Sequence, residues 1–148
     1  MRKTISLFLI MLMMASVSYL FFDRQDIVLE GGHQTDWSAT ILVNRLPVTV
    51  SARIEWWVKN QQLIIEKYHF RANNPKGTLD YYLFAFGDGY VAEDDKDRLC
   101  FADISPPKNC IDKDLLMSVS TMRDGSTEFR FNDAVYTRDK VGNIAKGE

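Results

Sequence analysis

The chain has 148 residues, of which 46% are apolar, 12% aromatic and 26% charged, and its formal net charge is −2. Without Arg2 and Lys3, residues 23–148 carry 16 basic and 20 acidic side chains, a net charge of −4. This balance excludes nucleic-acid binding as a default function, because phosphate recognition favours a basic surface. The apolar content excludes disorder, and the length excludes a multidomain enzyme.

Residues 4–22 form an uncharged run of 19 positions, 15 of them apolar, directly after Arg2 and Lys3. A helix of that length spans about 28 Å, which is close to the hydrocarbon thickness of a bilayer. The positive-inside rule places the short N-terminus in the cytoplasm. We therefore predict an inner-membrane anchor in residues 1–22, with residues 4–22 in the lipid bilayer, and a periplasmic domain in residues 23–148.

A cleaved signal peptide and a buried soluble helix are the alternatives for this segment. Ser16 and Ser18 are small residues with the spacing of a cleavage site. The apolar run continues through residues 19–22, which a cleavage site does not need, and this favours a retained anchor. Both the anchor and the signal peptide export the rest of the chain.

The first part of the exported region predicts a β-hairpin. Residues 27–30 form a short strand that Gly31 and Gly32 interrupt, and the segment with His33 becomes the loop. Residues 37–43 alternate apolar and polar side chains, as in a half-buried strand, apart from Leu42 on the outer face.

The spacing of the apolar residues then changes to that of a helix over residues 51–68, with Ser51 as the N-cap. Trp57 lies on the core side of this helix. Trp56 points about 100° away from it, and secondary core, partner contact and membrane interface stay open for its ring. Residues 73–77 contain Pro and Gly and predict a turn.

The last part of the chain reads as strands joined by short turns. Residues 78–86 are apolar on both faces, which is typical of a central strand, and Gly-Asp-Gly leads into a hairpin partner at residues 90–92. Further strands are predicted at residues 99–102, 115–122, 127–131 and 134–138, before a frayed polar tail that follows Lys140. The predicted fold is α+β, with an N-terminal transmembrane helix, then one helix packed on an antiparallel, meander-like β-sheet.

Cys100 and Cys110 are the only cysteines and are separated by nine residues. In an oxidising compartment such a pair indicates a structural disulfide. Two free thiols and a metal site are the alternatives, but zinc needs three or four ligands, and His33 and His69 are distant in sequence. We predict no metal and no cofactor.

No catalytic motif is present, and each histidine has an ordinary structural explanation, so we predict that the chain is not an enzyme. Acidic residues crowd around the cysteine pair. With Trp56 they form a possible partner-binding surface, whose acidic members are Asp94, Asp95, Asp97, Asp112 and Asp114. A solvated loop and a calcium site are the alternatives.

Four strings in the sequence resemble an uncharacterised enterobacterial family of proposed inner-membrane proteins, a domain of unknown function. They are residues 54–60 (IEWWVKN), 86–90 (FGDGY), 97–101 (DRLCF) and 108–111 (KNCI). The resemblance covers nearly the whole chain, including both cysteines. It implies a Gram-negative inner-membrane protein with a periplasmic domain, and it carries over no active site.

These observations predict a membrane-anchored periplasmic protein-binding module that captures an unknown protein partner. An immunity protein that neutralises an envelope-acting toxin is its most specific form. The alternative is an accessory or regulatory subunit of an integral inner-membrane protein. A periplasmic enzyme that uses His33 or His69 is the third hypothesis.

Overall fold

A computed structural model describes residues 2–23 and 26–147 of the protein. Within these ranges the chain forms two helices and ten strands. The helices are α1 (Arg2–Asp23) and α2 (Val50–Tyr68). The strands are β1 (Leu29–Gln34), β2 (Ser38–Val43), β3 (Asp80–Ala85), β4 (Val91–Ala92), β5 (Arg98–Cys100), β6 (Lys108–Asp112), β7 (Leu115–Thr121), β8 (Thr127–Arg130), β9 (Val135–Arg138) and β10 (Ile144–Lys146).

Seven strands form a large sheet in the order β1-β2-β3-β7-β8-β9-β10. Strands β2 and β3 are parallel, and every other neighbouring pair in this sheet is antiparallel. A parallel pair needs a long crossover connection, which α2 provides here. The fold is therefore α+β with a mostly antiparallel sheet, and the predicted meander is found in β7–β10.

Helix α2 covers one face of the large sheet. Its buried residues Ile54, Trp57 and Ile64 pack against core positions of β2, β3, β7 and β8. The predicted core position of Trp57 is confirmed. The N-cap lies two residues earlier than predicted, because the Thr49 side chain, not that of Ser51, accepts a hydrogen bond from the Ala52 amide.

A small sheet in the order β4-β6-β5 lies over the opposite face of the large sheet. Phe101, directly after β5, and Ile111 of β6 are buried against Leu42 of β2. Leu42 is fully buried, so its predicted position on an outer face is wrong, because the small sheet covers that face locally. The predicted disulfide is present and joins directly opposed residues, Cys100 of β5 and Cys110 of β6.

The transmembrane part of the predicted fold needs correction. In the part of the chain that the structure describes, neither helix combines the length and the apolar character that crossing a membrane requires. The prediction of an N-terminal transmembrane helix is therefore wrong by this criterion.

Three local predictions are also corrected. Strand β1 continues through Gly31 and Gly32, so His33 lies in a strand and not in a loop. Residues 91–92 pair with β6 and form no hairpin with β3. The polar tail adds an edge strand, β10, to β9. In each case backbone pairing with a neighbouring strand overrides a weak local signal.

Candidate functional site

A cavity of about 620 Å³ lies where the small sheet overhangs the large one. Its walls come from β1, β2, β3 and β5 and from the turns that follow β1 and β5. The lining residues are His33, Gln34, Thr35, Ser38, Thr40, Tyr82, Phe84, Leu99, Cys100, Phe101, Ala102 and Asp103. This volume lies within the range of small-ligand sites.

A three-residue network fixes one wall of the cavity. The His33 Nδ1 atom lies 2.8 Å from Oδ2 and 3.0 Å from Oδ1 of Asp103, and its Nε2 atom lies 2.8 Å from the Tyr90 hydroxyl. A carboxylate only accepts hydrogen bonds, so in neutral His33 Nδ1–H donates to Asp103 and Nε2 accepts from Tyr90. The imidazole also stacks on Phe101, with 3.8 Å between ring centroids. These contacts hold the small sheet against β1.

Tyr90 donates the hydrogen bond to His33 Nε2 in this network. Burial raises the pKa of its phenol, and the nearby Asp103 carboxylate and Tyr68 raise it further. The hydroxyl therefore keeps its proton and donates to His33 at neutral pH. Because His33 is 9% exposed and both its nitrogens have partners, the imidazole acts here as an anchor for the wall.

Two adjacent glycines allow this arrangement. A β-carbon at Gly31 would lie 2.7 Å from the Tyr90 hydroxyl oxygen, so only glycine lets that hydroxyl reach His33. A β-carbon at Gly32 would lie 2.4 Å from the Tyr68 ring of α2. Successive residues of a strand face opposite sides of the sheet. The glycine pair therefore admits one aromatic ring on each face of β1.

The polar part of the lining next to the network is partly fixed and partly available. Gln34 is fixed, because its amide donates to the Arg71 carbonyl and accepts from the Arg71 amide. Thr35 bonds to Ser38 across the β1–β2 turn. Thr40 and Tyr82 are cross-strand neighbours and half-buried, and within the described residues neither hydroxyl has a hydrogen-bond partner. These two hydroxyls are free to bind a ligand.

The predicted acidic surface is largely neutralised within the protein. Arg98, with 9% of its side chain exposed, forms two hydrogen bonds to Asp94, at 2.7 and 2.8 Å, and a further ion pair with Asp112. The hydrogen bonds from Arg98 lower the pKa of Asp94 to about 2. Lys113 pairs with Asp97.

The remaining predicted surface residues lie apart from that network. Asp95 and Asp114 form no side-chain ion pair among the described residues. Trp56 is half-buried on α2 and packs against the large core, on the face of the sheet opposite the small sheet. Trp56 and the acidic residues therefore do not share one surface. Their role in partner binding stays a prediction.

His69 is separate from the cavity. It is exposed and ends α2 in a left-handed conformation, where its backbone N–H bonds to carbonyls of the last helical turn. The two histidines considered as catalytic candidates therefore have different structural roles. Among the described residues, no group of three or more His, Cys, Asp or Glu side chains is arranged to hold a metal ion.

Sequence reasoning did not predict the cavity, because its walls are distant in sequence. His33 and Asp103 are 70 positions apart, and only the folding of the small sheet over β1 brings them together. One local signal was available: the Gly-Gly-His string lies where a strand otherwise continues, and adjacent glycines in a strand often mark the close approach of another group.

The fold and the cavity define the chain as an α+β protein with a partly enclosed, mostly apolar site between two sheets. It belongs to the family described as "Enterobacterial putative membrane protein (DUF943)", which matches residues 1–148. The resemblance found in the sequence is therefore confirmed. Neither the curated proteins nor the solved structures contain a match to this chain.

Proposed function

We propose that this chain is a periplasmic binding module and that the cavity is its binding site. The observation that carries the proposal is a cavity of about 620 Å³ whose wall presents two hydroxyls, those of Thr40 and Tyr82, without partners among the described residues. Concave sites with a few convergent polar groups on a mostly apolar lining are typical of ligand binding.

The rigidity of the walls supports this proposal. One wall is formed by the adjacent strands β1, β2 and β3 of the large sheet, and the wall from the small sheet, β5, is linked to β6 by the Cys100–Cys110 bond. The His33 network then joins the end of β5 to β1. A site that is ordered before binding loses less conformational entropy when a ligand enters.

The disulfide also supports a periplasmic location, because such bonds persist in oxidising compartments. We expect activity from a reporter enzyme that is fused after Glu148 and that works only in the periplasm. Mass analysis of freshly isolated protein under non-reducing conditions should give linked Cys100 and Cys110 peptides. A reporter that works only in the cytoplasm, or two free thiols, would contradict this location.

Capture of a protein partner is one specific form of the proposal, and neutralisation of a toxin is its narrowest form. In that form a side chain or short loop of the partner enters the cavity. The alternative, an accessory or regulatory subunit of an integral inner-membrane protein, stays a prediction.

A photoreactive side chain in the cavity tests whether anything binds there. Azidophenylalanine at position 82 nearly matches the shape of Tyr82, and the same residue at Leu63, an exposed position on α2, is the control. Illumination of cells should give an adduct at position 82 and none at position 63. The mass of the adduct identifies it as a protein or a small molecule. Equal labelling at both positions, or no adduct at position 82, would refute the proposal.

A further inference from the structure

We propose that the ligand of the cavity is a saccharide, with its hydroxyls on the polar wall and its C–H surface on the apolar wall. This inference rests on the proposed binding function and specifies the chemical class of the ligand.

Charge disfavours the other common class of small polar ligand, the anions. The described lining residues include one carboxylate, that of Asp103, and no Lys or Arg. The Asp103 side chain is 58% exposed, so its charge faces the cavity and the solvent. A phosphate or carboxylate ligand would meet a like charge without a compensating cation. The site therefore favours a ligand that donates hydrogen bonds to Asp103.

The free hydroxyls indicate what else the ligand offers. Thr40 and Tyr82 are directly opposed residues of β2 and β3, so their side chains lie side by side on one face of the sheet. Each hydroxyl can both donate and accept a hydrogen bond. A ligand ammonium group could only donate to them. Ligand hydroxyl groups both donate and accept hydrogen bonds. They can therefore bind Thr40 and Tyr82 in either direction and also donate to Asp103.

The apolar wall fits the other side of a sugar ring. Phe84, Leu99 and Phe101 line the cavity together with the hydroxyls. A pyranose ring has hydroxyls at its edge and C–H groups on its faces, and the electron-rich face of an aromatic ring packs well against C–H groups. One ring can therefore contact both walls at the same time.

The polar surface continues beyond the cavity, which favours an oligosaccharide over a single sugar. Tyr82 of β3 pairs with Ser118 of β7, and Ser118 pairs with Arg130 of β8. These positions lie on the face of the large sheet opposite α2, since their neighbours Val119 and Phe129 belong to the core under the helix. A chain of several sugar units can extend from the cavity along this row.

The test is isothermal titration of the purified full chain with three probes. Two probes are the tetrasaccharides of N-acetylglucosamine and of glucose. The third is an uncharged tetrapeptide with capped termini, which serves as a control of similar length. A parallel pelleting assay with isolated cell-wall sacculi distinguishes a polymeric envelope glycan from a free oligosaccharide. We expect saturable binding of at least one tetrasaccharide or of the sacculi, and none of the peptide.

Matched variants locate the binding. Loss of one hydroxyl in Tyr82→Phe or Thr40→Val should weaken saccharide binding about 3- to 10-fold. Asp103→Asn should weaken it about 10-fold, although its amide oxygen still accepts from His33. Tyr136→Phe and Asp133→Asn are the controls, because they make the same chemical changes at positions outside the cavity lining. They should leave binding unchanged.

The outcomes separate this inference from the function on which it rests. Saccharide binding that the cavity variants weaken and the controls do not supports both. If the photoreactive residue at position 82 captures a protein or another molecule while neither tetrasaccharide nor the sacculi bind, the saccharide assignment is overturned and the binding module stands. If nothing binds and nothing is captured, both are overturned.

Discussion

The Tyr90–His33 hydrogen bond makes a quantitative prediction about how the small sheet is held. The Tyr90 hydroxyl lies 2.8 Å from His33 Nε2, and His33 is buried while Tyr90 is half-buried. Tyr90→Phe removes one neutral hydrogen bond and leaves Nε2 without its partner, so we expect a loss of about 1–2 kcal/mol in the free energy of unfolding. His33→Phe keeps an aromatic ring against Phe101 but removes both hydrogen bonds. It should cost about 1–3 kcal/mol.

The double variant measures the bond itself. Both single changes break the same hydrogen bond, so their costs should not add, and the coupling energy should be about 1 kcal/mol. The measurement is urea unfolding of the oxidised protein, followed by circular dichroism. Tyr82→Phe is the matched control, since its hydroxyl has no partner within the described residues, and it should cost less than about 0.5 kcal/mol. Additive single costs, or equal costs for the two tyrosines, would refute the arrangement.

Three further changes test other parts of the structure by the same unfolding assay. Leu42→Ala should lower the free energy of unfolding by about 2–5 kcal/mol, because the small sheet buries this side chain fully. Leu63→Ala, at a position that is 56% exposed, should lower it by less than about 1 kcal/mol. Similar losses would show that the small sheet does not cover that face. Gly32→Ala should cost about 1–3 kcal/mol through its clash with the ring of α2, and a neutral result would contradict the close approach. Asp94→Asn should lower the unfolding midpoint at pH 7. The folded-state pKa of Asp94 is depressed, so its stabilisation is present above about pH 4 and is lost as the pH falls through about 2; a pH-independent difference would contradict this.

The sequence predicted elements whose pattern is strong and local. The helical period of residues 51–68, the two-faced apolar run that became β3 and the alternation in β2 all survive in the structure. Each pattern is set by whether a side chain faces the core, which neighbours in the chain reveal directly.

The features that the sequence did not predict depend on contacts between distant segments. Strand β6 is short, polar at both ends and preceded by two prolines, so only its pairing with β4 and β5 makes it a strand. Leu42 looked like an exposed exception to the alternation of β2, because the small sheet that covers it comes from residues 91–112. The cavity follows from that same covering layer, and for this reason the sequence indicated His33 without its partners.

The position of the disulfide makes its reactivity depend on the cavity. Cys110 is fully buried, whereas Cys100 is exposed and lines the cavity. A thiol reductant from solvent therefore attacks the sulfur of Cys100 and releases Cys110 as the thiolate, and the rate of this exchange depends on access. On the proposed function, a ligand in the cavity would occupy the approach to Cys100 and slow the exchange. Occupancy of the cavity would then be measurable as a longer half-time of thiol–disulfide exchange.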